Sequence, residues 1–228
     1  MIRFFVRLGL TIYYFFYWIG RGIILLPNLW QLFQLRSPRV TFFGGARVAL
    51  TDKWALDARA LAKKCVEHNI SIITGGGSGI MEAAALGAQD ANPAHVECLG
   101  VGLEGLRECV PPVYKSFIRV KQLIERKWIM IHFSQTCVVF PGGVGTYNEL
   151  AEVLTLLDME MLRHVPFILY GSAYWQPVLT WMKETGIAKG LIASELLKYV
   201  VLVDDVDTAF TWIARACRKN GGSINARV

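Results

Sequence analysis

The chain has 228 residues, enough for one generous domain whose core needs no disulfide or metal staple. Apolar residues make up 54% and charged residues 18%, which excludes a disordered chain. The net charge is +6, but Arg3, Arg7, Arg21, Arg36 and Arg39 supply all but one of those charges, so the body lacks the basic face of a nucleic-acid-binding domain.

Residues 4–26 carry only Arg7 and Arg21 as charges. A helix over that stretch would be roughly 34 Å long, enough to cross a bilayer. At about 100° per residue, Arg3, Arg7, Tyr14 and Arg21 share one face, with Phe5, Leu8, Ile12, Phe16, Ile19 and Ile23 opposite. Arginines on one side and apolar rings on the other suit a membrane surface, with spanning, packing against the body or a neighbouring subunit, and a cleaved signal as alternatives. The expected division is therefore a hydrophobic, Arg-bearing helical segment over 1–38 and an α/β domain over 39–228. That domain is expected in the cytoplasm, attached to the membrane through residues 4–26.

Past Pro38, short apolar runs alternate with helical patterns. Runs at 40–43, 70–73, 98–101, 136–140, 167–170 and 200–203 lack polar alternation, as strands covered on both faces require. Helices are expected from Asp52 onward, from Ser78 to about 91, over 119–133, from Pro141 to about 163, from Ser172, and from Asp204 or Asp205 to about 218. Strand and helix in alternation predict a doubly wound, Rossmann-like parallel sheet of about six strands. The five cysteines never form C-x-x-C and the four histidines stand alone, so buried reduced thiols are expected, with no metal and no cofactor.

Ligands of such sheets bind at the carboxyl ends of the strands. The glycines concentrate there: Gly44-Gly45, Gly75-Gly76-Gly77-Ser78-Gly79, and Pro141-Gly142-Gly143-Val144-Gly145-Thr146. Without a Cβ, backbone N–H groups approach an anion closely, and a following helix start adds unpaired donors. No Lys follows to make a Walker loop, and G-x-G-x-x-G is absent, so neither a triphosphate nor a dinucleotide fingerprint is present. Glu149 and Glu152 fall on one face of the helix after the third loop. Arg126-Lys127 interrupts an apolar helical stretch, and a buried arginine calls for an anionic partner. Arg47 follows the first glycine pair.

Together these stretches resemble a known family. Pro141–Glu149 is similar to the P-G-G-x-G-T-x-x-E signature of the LOG phosphoribohydrolases, Rossmann-like proteins once described as lysine decarboxylases. Gly75–Ala84 resembles their G-G-G-x-G-I-M-E-A-A, Phe43–Arg47 their F-G-S-A-R, and Arg126-Lys127 their R-K pair; Glu152 matches a second glutamate. Gly45 stands where serine is usual and Ser78 where many relatives have proline. The stretch 104–114, with Arg107 and Cys109, departs from the pattern in a region that can line a base pocket.

The resemblance implies hydrolysis of the N-glycosidic bond of a nucleoside 5′-monophosphate, AMP or an N6-substituted AMP, to free base and ribose 5-phosphate. Glu149 and Arg126 are the implied catalytic residues. The substrate-binding set is Gly44, Gly45, Arg47, Gly76, Gly77, Ser78, Gly79, Met81, Glu82, Lys127, Pro141, Gly142, Gly143, Val144, Gly145, Thr146 and Glu152. A homodimer or larger homo-oligomer is implied, with the site near the subunit contact. Because the resemblance extends to molybdenum-cofactor carriers, the alternative is a non-catalytic nucleotide or molybdenum-cofactor binding protein on the same fold.

Overall fold

The computed structural model describes residues 30–32, 34–91, 97–105, 110–162 and 166–219. Met1–Gln34 and Leu35–Val228 form separate compact units. The membrane segment expected at 4–26 lies outside the described residues, as do Arg107 and Cys109. Among the described residues no helix is long and apolar enough to cross a membrane.

The larger unit is one parallel sheet of seven strands, in the order β4-β3-β2-β1-β5-β6-β7. The strands are β1 (Arg39–Phe43), β2 (Ser71–Thr74), β3 (Cys98–Leu103), β4 (Ser116–Val120), β5 (Thr136–Val139), β6 (Phe167–Tyr170) and β7 (Val200–Val203). Helices α1 (Lys53–Glu67), α2 (Ile80–Ala91), α3 (Leu123–His132), α4 (Val144–Asp158), α5 (Ser172–Trp181) and α6 (Val206–Lys219) connect or follow them. The strand order runs outward in both directions from β1 and β5. Right-handed crossovers therefore send α1 and α2 to one face of the sheet and α3 and α4 to the other.

The expected doubly wound sheet is present, with one strand more than the six apolar runs. β4 escapes an apolar-run search because it is an edge strand that alternates: Ile118 and Val120 are buried while Arg119 between them is exposed. Its presence also moves the start of the helix expected over 119–133 to Leu123, where Gln122 and Glu125 close a capping box. The helix after Pro141 stops at Asp158, short of the expected 163.

The core lies mainly between the sheet and the layer of α1, α2 and α6, where Phe42, Phe140 and Tyr170 stack across β1, β5 and β6. Cys65, Cys98, Cys137 and Cys217 are buried free thiols, and burial pushes the Cys217 thiol up to about 12. They pack; they are not poised to react.

Candidate active site

A cleft of 620 Å³ opens where the strand order reverses, at the carboxyl ends of β1 and β5. The loop 44–48 after β1 and the loop 141–146 after β5 form most of its wall; Trp54, Met81, Arg126, Glu149 and Tyr174 complete it. Three loops are tied together beneath it. The Gly45 N–H donates to the Pro141 carbonyl at 3.0 Å, the Ile80 N–H to the Gly45 carbonyl at 3.2 Å, and the Ser78 hydroxyl to the Ala46 carbonyl at 2.9 Å. Two glycines make this possible. A Cβ on Gly142 would overlap the Thr146 hydroxyl, and Gly79 holds φ +66° against the Gly45 carbonyl.

The first turn of α4 faces this cleft without a side-chain cap. Its N-cap, Gly143, is extended and has nothing to fold back, and the turn holds no acidic residue. Among the described residues no protein acceptor takes the N–H groups of Gly143, Val144, Gly145 or Thr146. α1 is the contrast, since the Asp52 side chain accepts from the Trp54 N–H at its start. Four unpaired donors at the positive end of a helix dipole are a place for an anion.

Glu149 lies one and a half turns further along α4, on the stripe it shares with buried Thr146, Leu150, Val153 and Leu157. An apolar residue would be the ordinary occupant. The residue is only 8% exposed, and no hydrogen bond holds its carboxyl among the described residues. Burial pushes its pKa up to about 7, against the pull of Arg126 and Lys127 and with the help of Glu152. The carboxyl thus borders the cleft and titrates near neutrality, which suits a group that must carry charge or a proton.

Arg126, half-buried on α3, enters from the other side. It donates from Nε to the Val101 carbonyl at 2.9 Å and from Nη2 to the Gly75 carbonyl at 3.2 Å, with Met81 sulfur 3.9 Å away. Of the two partners expected for it, a carboxylate or a ligand, no carboxylate pairs with it among the described residues; the carbonyls of Val101 and Gly75 hold part of the guanidinium. Nη1 has no protein acceptor among the described residues. Lys127 and Glu152, expected at the substrate, form an ion pair with each other beside the cleft.

The structure thus brings Gly44, Gly45, Arg47, Met81, Arg126, Pro141, Gly142, Gly143, Val144, Gly145, Thr146 and Glu149 to one cleft. Gly76 instead lines a separate cavity of 170 Å³ with Glu104, Phe117 and Arg119. Gly77, Ser78, Gly79 and Glu82 do not line the cleft, although Ser78, itself exposed, and Gly79 brace the first loop. Trp54 and Tyr174 belong to the cleft and to none of the motifs. The signal that could have found them is position: each sits in the first turn of the helix that follows a strand, Tyr174 directly after β6 and Trp54 after the loop that leaves β1. Their rings meet edge to face at 5.9 Å, and Tyr174 donates its hydroxyl to the Gly142 carbonyl at 2.5 Å. Its hydrogen bond with Tyr147 pushes that neighbour's phenol up to about 12.

A family model described as possible lysine decarboxylase matches residues 81–213. The chain belongs to this family. Members similar to it bear a hydrolase name. A cytokinin riboside 5′-monophosphate phosphoribohydrolase of Rhodococcoides fascians is 23% identical over 175 residues, 76% of this chain and 88% of that protein. The rice (Oryza sativa subsp. japonica) enzyme of that name is 27% identical over 169 residues, 73% of this chain and 68% of its own length. Among solved structures, the molybdenum cofactor binding protein of Rippkaea orientalis matches with a TM-score of 0.58 at 19% identity, over 79% of this chain and 97% of that one. The molybdenum cofactor carrier protein of Chlamydomonas reinhardtii gives 0.57 at 24%, over 79% and 98%. Those likenesses establish the shared fold, which carries binding proteins as well as hydrolases in this family's neighbourhood.

Proposed function

We propose that this family member hydrolyses the N-glycosidic bond of a nucleoside 5′-monophosphate, AMP or an N6-substituted AMP, releasing the base and ribose 5-phosphate. The observation that carries the reading is one buried carboxyl, Glu149, that has no hydrogen-bond partner among the described residues and lies in the same cleft as the uncapped start of α4. The N–H groups of 143–146 and Arg47 take the 5′-phosphate, which sets the ribose over Glu149. Breaking C1′–N9 leaves the electron pair on the base and positive charge on the ribose ring. Ionised Glu149 stabilises that charge and orients the water whose oxygen bonds to C1′. The water gives up one proton through Glu149 and keeps the other as the new C1′ hydroxyl, while the departing base takes up one proton from solvent, so the step is proton-neutral; Arg126 polarises that base. The test is chromatography of free base released from a panel of nucleoside monophosphates, with Glu149→Gln and Arg126→Ala expected to abolish release.

The fold shared with molybdenum-cofactor carriers supports a second reading, in which the cleft binds a nucleotide or pterin without turnover. Saturable binding in calorimetry with no product would select it. We further propose that residues 4–26 attach the domain to a membrane, on their arginine-and-apolar pattern, and that copies of the domain associate through exposed Leu123, Ile124 and Trp128. Fractionation with and without residues 1–38, and light scattering of Trp128→Glu, test these two points.

A further inference from the structure

Tyr174 stands in the first turn of α5, outside every glycine motif, yet it is bonded to the loop that the motif builds. Its ring is wedged between Trp54, at 5.9 Å, and Trp175, at 4.9 Å. From there its hydroxyl donates to the Gly142 carbonyl at 2.5 Å, while the preceding carbonyl, that of Pro141, accepts from the Gly45 N–H at 3.0 Å. Two successive carbonyls of the loop are therefore engaged by donors, while the N–H groups that follow them meet no acceptor among the described residues. In a trans peptide the C=O and N–H point in opposite directions. Fixing the Gly142 carbonyl therefore fixes the direction of the Gly143 N–H. Left unheld, that peptide could turn and present its oxygen, the negative end of its dipole, to the same anion.

We infer that Tyr174 is the positioning residue of the anion cradle, holding the Gly142–Gly143 peptide so that it offers an N–H to the phosphate of the substrate. This inference rests on reading the cleft as a phosphate site, and it adds a residue that no motif contains. Tyr174→Phe deletes the hydroxyl and keeps the ring between its two tryptophans, so the fold is retained while the tether to Gly142 and the bond with Tyr147 are lost; Tyr147→Phe, which removes the second bond and keeps the tether, is the control.

The experiment is calorimetric titration of the full chain and of Tyr174→Phe with inorganic phosphate, followed by kinetics on AMP and on adenosine. Phosphate affinity is expected to fall about tenfold in the variant, the size of one hydrogen bond to a charged group. KM for AMP should rise by about the same factor with a smaller change in kcat, and whatever turnover adenosine shows, lacking the phosphate, should fall less than that of AMP. Equal phosphate affinity in the two proteins, no phosphate binding by the wild type, or equal loss on AMP and adenosine would each overturn the assignment. Phosphate binding that weakens in the variant, from a wild type that turns over no nucleotide, would uphold Tyr174 and reject the hydrolase.

Discussion

The guanidinium of Arg126 occupies the space that a side chain at Gly75 would need. Nη2 donates to the Gly75 carbonyl at 3.2 Å, and a Cβ built on Gly75 overlaps that same nitrogen. The glycine after β2 and the arginine of α3 are thus one device: the bare backbone of one admits the charge of the other to the cleft.

Gly75→Ala is therefore expected to displace Arg126 while leaving the fold in place, because the obstructing atoms are the far end of a flexible side chain. The expected loss in kcat/KM is about a hundredfold, comparable to removing one electrostatic donor from an active site. Combined with Arg126→Ala it should add nothing further, which a double-mutant cycle reads directly. Full additivity would separate the two residues.

Activity should follow the ionisation of Glu149. The carboxylate is the working form and its pKa stands at about 7, so kcat/KM for AMP is expected to rise from pH 5.5 to 8 with a midpoint near 7. An ordinary carboxylate would give a flat profile over that range, and such a profile would remove Glu149 from the chemistry.

Its neighbours should move that midpoint in opposite senses. Glu152 raises the pKa of Glu149 and Lys127 lowers it. Glu152→Gln is expected to shift the midpoint to lower pH and Lys127→Met to higher pH. Identical profiles in both variants would show that the ion pair does not reach Glu149.

Stability should change with pH through the same group. Its folded pKa lies above the ordinary value of 4.5, so its contribution is intact below pH 4.5 and is lost as pH rises through 7. Glu149→Gln removes that loss and should be more stable than wild type above pH 7 by on the order of 3 kcal/mol, with no advantage at pH 4. Chemical denaturation at the two pH values measures it; an advantage independent of pH would point to packing instead.

The sheet was legible because its central strands are short unbroken apolar runs, and the cleft because glycines mark the ends of β1 and β5. β4 was hidden by the exposed Arg119 between Ile118 and Val120, the mark of an edge strand. Spacing placed Glu149 and Glu152 on one helix face, yet burial separates them: one borders the cleft with no hydrogen-bond partner among the described residues and the other pairs with Lys127. Periodicity cannot foresee that difference, since it depends on what α3 brings alongside. Tyr174 was illegible for a similar reason. Its hydroxyl meets Gly142 only because β5 and β6 are neighbours in the sheet, although the residues stand 32 apart in the chain.

The most direct test of the account is chromatographic detection of free adenine after incubation of the full chain with AMP, beside the Glu149→Gln protein. The account predicts adenine and ribose 5-phosphate in equal amounts from the wild type and none from the variant. Equal release from both proteins, or none from the wild type on any nucleoside monophosphate while it still binds them, would contradict it.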